Sequence, residues 1–267
     1  MIIVIVVLCG LISFQCTSSP QKPIDVLVNP IDPKSPVFIK PKTIIRNAPR
    51  TGDVLTVPQT TITVEGNIDV VAFSYKLDAN EWSPWNAATA IVLTDLDEGK
   101  HHWVIRSLHR DSITIEENPP SIDFSVNAVT GPALMFSSRK KAVLIGTNFN
   151  YYIVAEEVQK LYGAKVVFSY DNSAVKINAI TSGTIANTSI QLLELQYANK
   201  ARVEMFFTGN TPINGITGSD TIVVINCSPL KIGESAFTFV ADSVQFRNSS
   251  NVSIAIKQIV NGKVVVK

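Results

Sequence analysis

From residue 61 to residue 266 the chain repeats one device. Short runs rich in Val, Ile, Phe and Thr are each closed by Gly, Asn, Asp or Pro. Alternating side chains of that kind suit a pleated, half-buried strand, and the turn residues between them allow the chain to reverse. In the first part of the chain no run carries the i, i+3, i+4, i+7 spacing of an amphipathic helix. The pattern therefore restricts the fold to the all-β class, and the count of runs predicts two β-sandwich domains.

The runs fall into two groups. In the first, strands are predicted at 61–64, 70–77, 91–93, 100–108 and 121–126. Asp78-Ala79-Asn80 forms a tight turn there, and Phe73, Tyr75 and Trp82 belong to one face. In the second, strands are predicted at 141–144, 149–154, 164–170, 175–180, 189–197, 202–208, 221–227, 235–241, 253–256 and 263–266. The run 189–197 also fits a short amphipathic helix, and is assigned as strand. With 46% hydrophobic residues, both groups have material for a core.

Charge narrows the function. The 23 basic and 22 acidic residues nearly cancel, and neither sign forms a block. A nucleic-acid partner, or an anionic bilayer bound by charge alone, would want a basic stripe.

The N-terminus reads as an export segment. Residues 1–15 are uncharged and mostly aliphatic, the length of a signal-peptide core and shorter than the ~20 residues of a spanning helix. LISFQC, ending at Cys16, resembles the lipobox of bacterial lipoproteins, which implies lipidation of Cys16 and a membrane anchor. Phe14 and Gln15 stand where small residues are usual, and no Lys or Arg precedes the apolar run. The alternative is an unlipidated signal peptide cut near Ser18 or Ser19. Residues 17–45 then read as a linker, since six prolines lie between Pro20 and Pro41 and favour an extended course. Cys227 has no mature partner for a disulfide and sits in an apolar run, as a small buried hydrophobe would.

Several features invite a chemical role. Trp82 and Trp85 offer aromatic faces to a sugar ring, or simply pack on the sandwich. Asp95, Asp97 and Glu98 offer oxygens to calcium, or form a plain acidic turn, which is the expectation because a calcium loop needs more ligands at set positions. His101, His102 and His109 lack zinc-ligand spacing. Glu156 and Glu157 imitate a glycosidase pair, but neighbours on one strand diverge to opposite faces. No nucleophile elbow, zincin motif or phosphate loop occurs, so the expectation is no enzyme, no catalytic residue and no resident metal or cofactor, with calcium left open.

Two resemblances complete the reading. The segment 46–128, with FSYKLDANEW and the later LDEGKH turn, resembles the immunoglobulin-like or fibronectin-type extracellular modules of bacteria. The segment 129–267 resembles the cohesin domain. FSSRKKAVLIG, then the long run through LYGAKVVFSYDNSAVKI, then ARVEMFFTG and TIVVINCSPLKIGESAFTF follow that family's order, with Phe168, Tyr170, Asp171, Val175 and Ile177 in the aromatic-x-Tyr-Asp signature and the strand after it. The resemblance implies a jelly-roll sandwich that binds rather than catalyses. It also implies a partner that is a dockerin, a calcium-loaded module of polysaccharide-degrading enzymes, or a polysaccharide.

The resemblance places the partner on one sheet face, built from the strands at 164–170, 202–208 and 221–227. Its candidate residues are Lys165, Val167, Ser169, Glu204, Thr208 and Asn210. The amide and acid of the best-known dockerin binders align with Gly163 and Lys165, and their later acidic residues align near Gly209 and Asn210. A structural or adhesive spacer in the envelope is the alternative role.

Overall fold

The structure is a computed structural model that describes residues 28–184, 190–196, 202–209 and 215–267. The export segment, with Cys16, and Asn210 lie outside the described residues. The chain divides into residues Met1–Lys40 and Pro41–Lys267. In the first of these, the described residues form turns in which the Asn29 and Asp32 side chains accept from the Ile31 and Lys34 amides.

The second, larger unit is all-β. Its first sandwich comprises β1 (Thr43–Asn47), β2 (Val54–Leu55), β3 (Thr60–Gly66), β4 (Val70–Leu77), β5 (Ala90–Leu93), β6 (Gly99–His109) and β7 (Ser121–Val126). Three strands pair as β1-β3-β5 and four as β2-β7-β6-β4. β7 shows the cause plainly: in SIDFSV the residues Ile122, Phe124 and Val126 are buried while Ser121 and Asp123 between them face out. Those inward positions meet Ile62, Val64, Ile91, Leu93, Trp103 and Ile105 from the other strands in one core. β1 opens at Thr43, inside the stretch whose proline density suggests a linker.

The second sandwich comprises β8 (Ala133–Ser137), β9 (Lys140–Val143), β10 (Phe149–Leu161), β11 (Gly163–Tyr170), β12 (Val175–Ser182), β13 (Ile190–Gln196), β14 (Arg202–Gly209), β15 (Ile216–Pro229), β16 (Gly233–Phe239), β17 (Gln245–Arg247), β18 (Ser253–Ile254), β19 (Gln258–Val260) and β20 (Gly262–Val266). One sheet runs β12-β15-β10-β8-β19, and the other β13-β14-β11-β16-β20-β9 with β17 paired to β11. The chain changes sheet twice at one corner. β8 passes into β9, and β19 passes into β20, with each later strand parallel to its earlier counterpart.

The run 190–196 is a strand, paired with β14 from Ile190 opposite Gly209 to Gln196 opposite Val203. Between the sheets, Phe136 stacks on Phe239 at 4.3 Å and on Tyr151 at 5.0 Å, and meets Phe168 edge-on at 5.5 Å. Each fully buried aromatic of this kind stabilises the fold by about 2–3 kcal/mol relative to exposure.

Candidate partner-binding sheet

β11 is an interior strand of the candidate sheet. It pairs with β14 from Gly163 opposite Thr208 to Ser169 opposite Arg202, and on its other edge with β16 and β17. The inward positions Ala164, Val166 and Phe168 enter the core, so Lys165, Val167 and Ser169 fall on the outer side. Lys165 and Ser169 are half-buried there, and the Ser169 hydroxyl donates to the Thr238 carbonyl at 3.4 Å.

Val167 does not join an open surface, because it is fully buried. After β16 the chain folds into a 3-10 turn, Ala241–Ser243, beside the middle of β11, and the Val240 amide donates to the Val167 carbonyl at 2.8 Å. The expected alternation holds, but its middle position is covered. Glu204 pairs with Val167 and Thr208 with Gly163, which places both on the backbone ladder of the same sheet.

The third expected strand belongs elsewhere. β15, which contains residues 221–227, pairs with β10 and β12 in the opposite sheet and contributes nothing to the β11 face. Its place is taken by β16. In GESAFTF the residues Ser235, Phe237 and Phe239 are buried, leaving Glu234, Ala236 and Thr238 exposed. The pairing of Ser169 with Thr238 sets two small polar side chains next to one another on that surface. The period-two pattern of this run was the available signal for Glu234, Ala236 and Thr238.

The aromatic-x-Tyr-Asp signature is structural. Phe168 lies in the core, and Tyr170 stacks on Phe237 at 5.4 Å. Asp171 accepts from the Ser173 hydroxyl at 2.6 Å and from its amide at 2.9 Å, and those bonds hold its carboxyl below the usual carboxylate range. The signature fixes a turn and its entry strand.

The acidic turn at Asp95, Asp97 and Glu98 joins the two sandwiches. Asp95 pairs with Lys263 on the outer side of β20 at 3.1 Å, and Asp97 accepts from the Arg139 amide at 2.6 Å. Glu98 takes the Arg139 guanidinium with one oxygen and the Ala128 amide, at 2.8 Å, with the other. The Asp95 carboxylate raises the Lys263 ammonium above its ordinary value. Nitrogen donors thus occupy one oxygen of Asp95, one of Asp97 and both of Glu98. Among the described residues no group of three or more His, Cys, Asp and Glu side chains is placed to hold a metal.

The tryptophans are also committed. The Arg106 guanidinium lies over Trp82 at 3.9 Å and over Trp85 at 5.0 Å, so a cation covers one face of each ring, while Trp85 remains exposed. Glu156 and Glu157 do not form an acid-base pair. Glu156 accepts from the Ser219 hydroxyl and Glu157 from the Gly131 amide, each tied to a different neighbour.

Comparison with known proteins follows this geometry. Residues 138–266 match the family model of the cohesin domain. No curated protein matches the chain. Among solved structures, a non-cellulosomal cohesin from the archaeon Archaeoglobus fulgidus is 14% identical, over 51% of this chain and 90% of its own, with a TM-score of 0.42. A type I cohesin–dockerin complex from Clostridium thermocellum gives 14% identity over 51% of this chain and 99% of the other, with a TM-score of 0.44. The cohesin module of a family 33 glycoside hydrolase from Clostridium perfringens gives 16% identity over 48% and 90%, with a TM-score of 0.40.

Proposed function

We propose that residues 138–266, which match the family model of the cohesin domain, act as a non-catalytic binding module and capture a dockerin-type protein through the outer side of β14, β11 and β16. The observation that carries the placement is the Ser169–Thr238 pair. It puts small polar groups, flanked by Lys165, Ala236 and Glu234, on a sheet whose opposite side is core. Small side chains let a partner approach the backbone closely, and the polar rim supplies hydrogen bonds.

The partner contact differs from that of the best-known dockerin binders. Gly163 and Lys165 stand where they carry an amide and an acid, so this chain selects a different dockerin sequence, with an acidic or neutral group facing Lys165.

Export belongs to the same proposal. The uncharged run 1–15 and Cys16 support a lipoprotein held at the cell surface, where a dockerin-bearing hydrolase would serve polysaccharide breakdown. Unchanged membrane retention of a Cys16→Ala variant on cell fractionation would argue against the anchor.

The binding experiment is a pull-down of calcium-loaded dockerins by the full chain, repeated with Thr238→Arg. Retention of at least one dockerin, lost in the variant, supports the proposal. Failure to retain any, or retention indifferent to the variant, removes it and favours a spacer role, for which the acidic turn joining the sandwiches is the supporting observation.

A further inference from the structure

The outer side of the opposite sheet carries a different chemistry. Across β12, β15, β10 and the residue just before β10, the side chains of Asn178, Asn226, Ser228, Asn150 and Asn148 form one hydrogen-bonded network. Asn178 donates to the Asn226 carbonyl oxygen at 3.0 Å and to the Ser228 hydroxyl at 2.8 Å. Asn226 donates in turn to Asn150 at 2.8 Å, and Ser228 to Asn148 at 2.7 Å.

The backbone directs these groups outward. In β15 the residues Val223, Ile225 and Cys227 are fully buried, so Asn226 and Ser228, which alternate with them, stand on the other side. Asn150 lies directly opposite Asn226 in the register of β10 with β15. Asn178 is the extra residue of a bulge in β12, between Ile177 and Ala179, and the bulge turns its amide across the neighbouring strand. Tyr152 follows two positions after Asn150, on the same side and half-buried.

Asparagine is a poor strand former, so amides gathered within paired strands lower intrinsic sheet stability compared with the Thr, Lys or Val that would serve a solvated face. Their mutual bonds hold the amide planes in fixed orientations. Asn150 and Asn148 each accept through their side-chain oxygen, so their Nδ2 groups are not used in these bonds. The side chains of the network are themselves uncharged, and the exposed Lys176 stands directly opposite Ser228 in the register of β12 with β15.

We propose that this face binds a neutral polysaccharide of extended, flat-ribbon shape. Fixed amides recognise paired hydroxyl groups by donating and accepting at once, and the Tyr152 ring offers an apolar surface to the axial hydrogens of a pyranose. The absence of a charged cluster within the network disfavours an acidic glycan or a charged protein surface. The site lies on the sheet opposite the proposed dockerin face, so the two can be occupied together and either can fail alone.

Depletion of the full chain by phosphoric-acid-swollen cellulose, with calorimetric titration of cellohexaose, tests the assignment. Saturable binding is expected, weakened about tenfold in Asn150→Ala/Asn226→Ala, since each lost hydrogen bond is worth about threefold to tenfold in affinity. Asn226→Asp, which keeps the side-chain size, is expected to weaken binding as well, and Thr238→Arg to leave it unchanged. Circular dichroism and urea midpoints check that each variant is folded. No saturable depletion, depletion that Asn226→Asp and the double variant leave intact, or retention on polygalacturonate in preference to cellulose would overturn the proposal.

Discussion

The Arg139 guanidinium, between β8 and β9 of the second sandwich, closes on the Glu98 carboxylate of the first. Both side chains are largely withdrawn from solvent, at 9% and 19% exposure. Around the pair, Val129, Ala133, Met135 and Val260 form a small apolar cluster of their own. The junction is therefore built like an interior, with the charge pair closed through one guanidinium nitrogen, Arg139 Nε buried without a hydrogen-bond partner, and aliphatic groups packed beside them.

Glu98→Gln is expected to cost about 3 kcal/mol, because it leaves the Arg139 charge buried without its counter-charge. The paired change Glu98→Gln/Arg139→Met should cost less than the sum of its parts, since the second change removes the orphaned charge. Urea unfolding measures both. A Glu98→Gln variant within about 0.5 kcal/mol of the parent would mean that the contact is a surface pair and not a latch.

Gly262 is expected to be irreplaceable for a packing reason. A Cβ there would run into the Tyr151 hydroxyl and the Phe136 Cβ, in the aromatic centre of the second sandwich. Gly262→Ala should therefore destabilise by about 3 kcal/mol or more. Tyr151→Phe alone should cost about 1 kcal/mol, through the lost bond from its hydroxyl to the Ser138 carbonyl at 2.8 Å. Because the same change removes one of the clashing atoms, the double variant should be more stable than the two costs predict together. Additive costs in chemical denaturation would show that the clash is relieved by backbone movement instead.

Burial pushes the Cys227 thiol up from its ordinary value of 9.0 to about 12. The neutral thiol is thus favoured in the folded state, and the thiolate in the unfolded one. Its contribution to stability is complete below pH 9 and is lost as pH rises from there toward about 12. In native protein at pH 8, iodoacetamide should leave Cys227 unlabelled, and labelling should become complete in guanidinium chloride. Peptide mapping by mass spectrometry reads the outcome, and native labelling at the rate of a free thiol would contradict the burial.

How much of this was legible follows from the environment of each segment. β4 and β7 match their sequence bounds, and in β7 the cause is plain, because one side faces core and the other water, which writes alternation into the chain. β8 left no such trace. Leu134 and Phe136 enter the main core while Ala133 and Met135 enter the junction cluster, so ALMF is apolar on both sides. β10 runs on to Leu161 through the polar EEVQK, because bulges re-aim its side chains and the Ser219 and Thr217 hydroxyls take up the Glu157 and Lys160 amides.

The candidate site was harder to read because it depends on which strands are neighbours. The residues 221–227 have the composition of any buried strand, and nothing local distinguishes β15 in one sheet from β16 in the other. Val167 shows the same limit, since its cover comes from a turn more than seventy positions along the chain. The outward placement of Lys165 and Ser169, by contrast, follows from alternation alone.

Arg106 holds Trp82 and Trp85 in one stack, and its removal is expected to be visible in their fluorescence. The guanidinium lies 3.9 Å from one ring centroid and 5.0 Å from the other, and Lys76 adds a second cation 5.4 Å from Trp82. At a partly exposed site such contacts contribute about 1 kcal/mol together. Arg106→Ala should lower stability by roughly that amount, shift the emission to longer wavelength and make both rings more accessible to acrylamide. Trp103 is fully buried and supplies an unquenched background within the same domain. Arg106→Lys should restore part of the stability but less of the shielding, because an ammonium cannot lie flat between two rings. Emission and quenching unchanged in Arg106→Ala would show that Trp82 and Trp85 are held by the sheet itself, and would reopen their faces to a ligand.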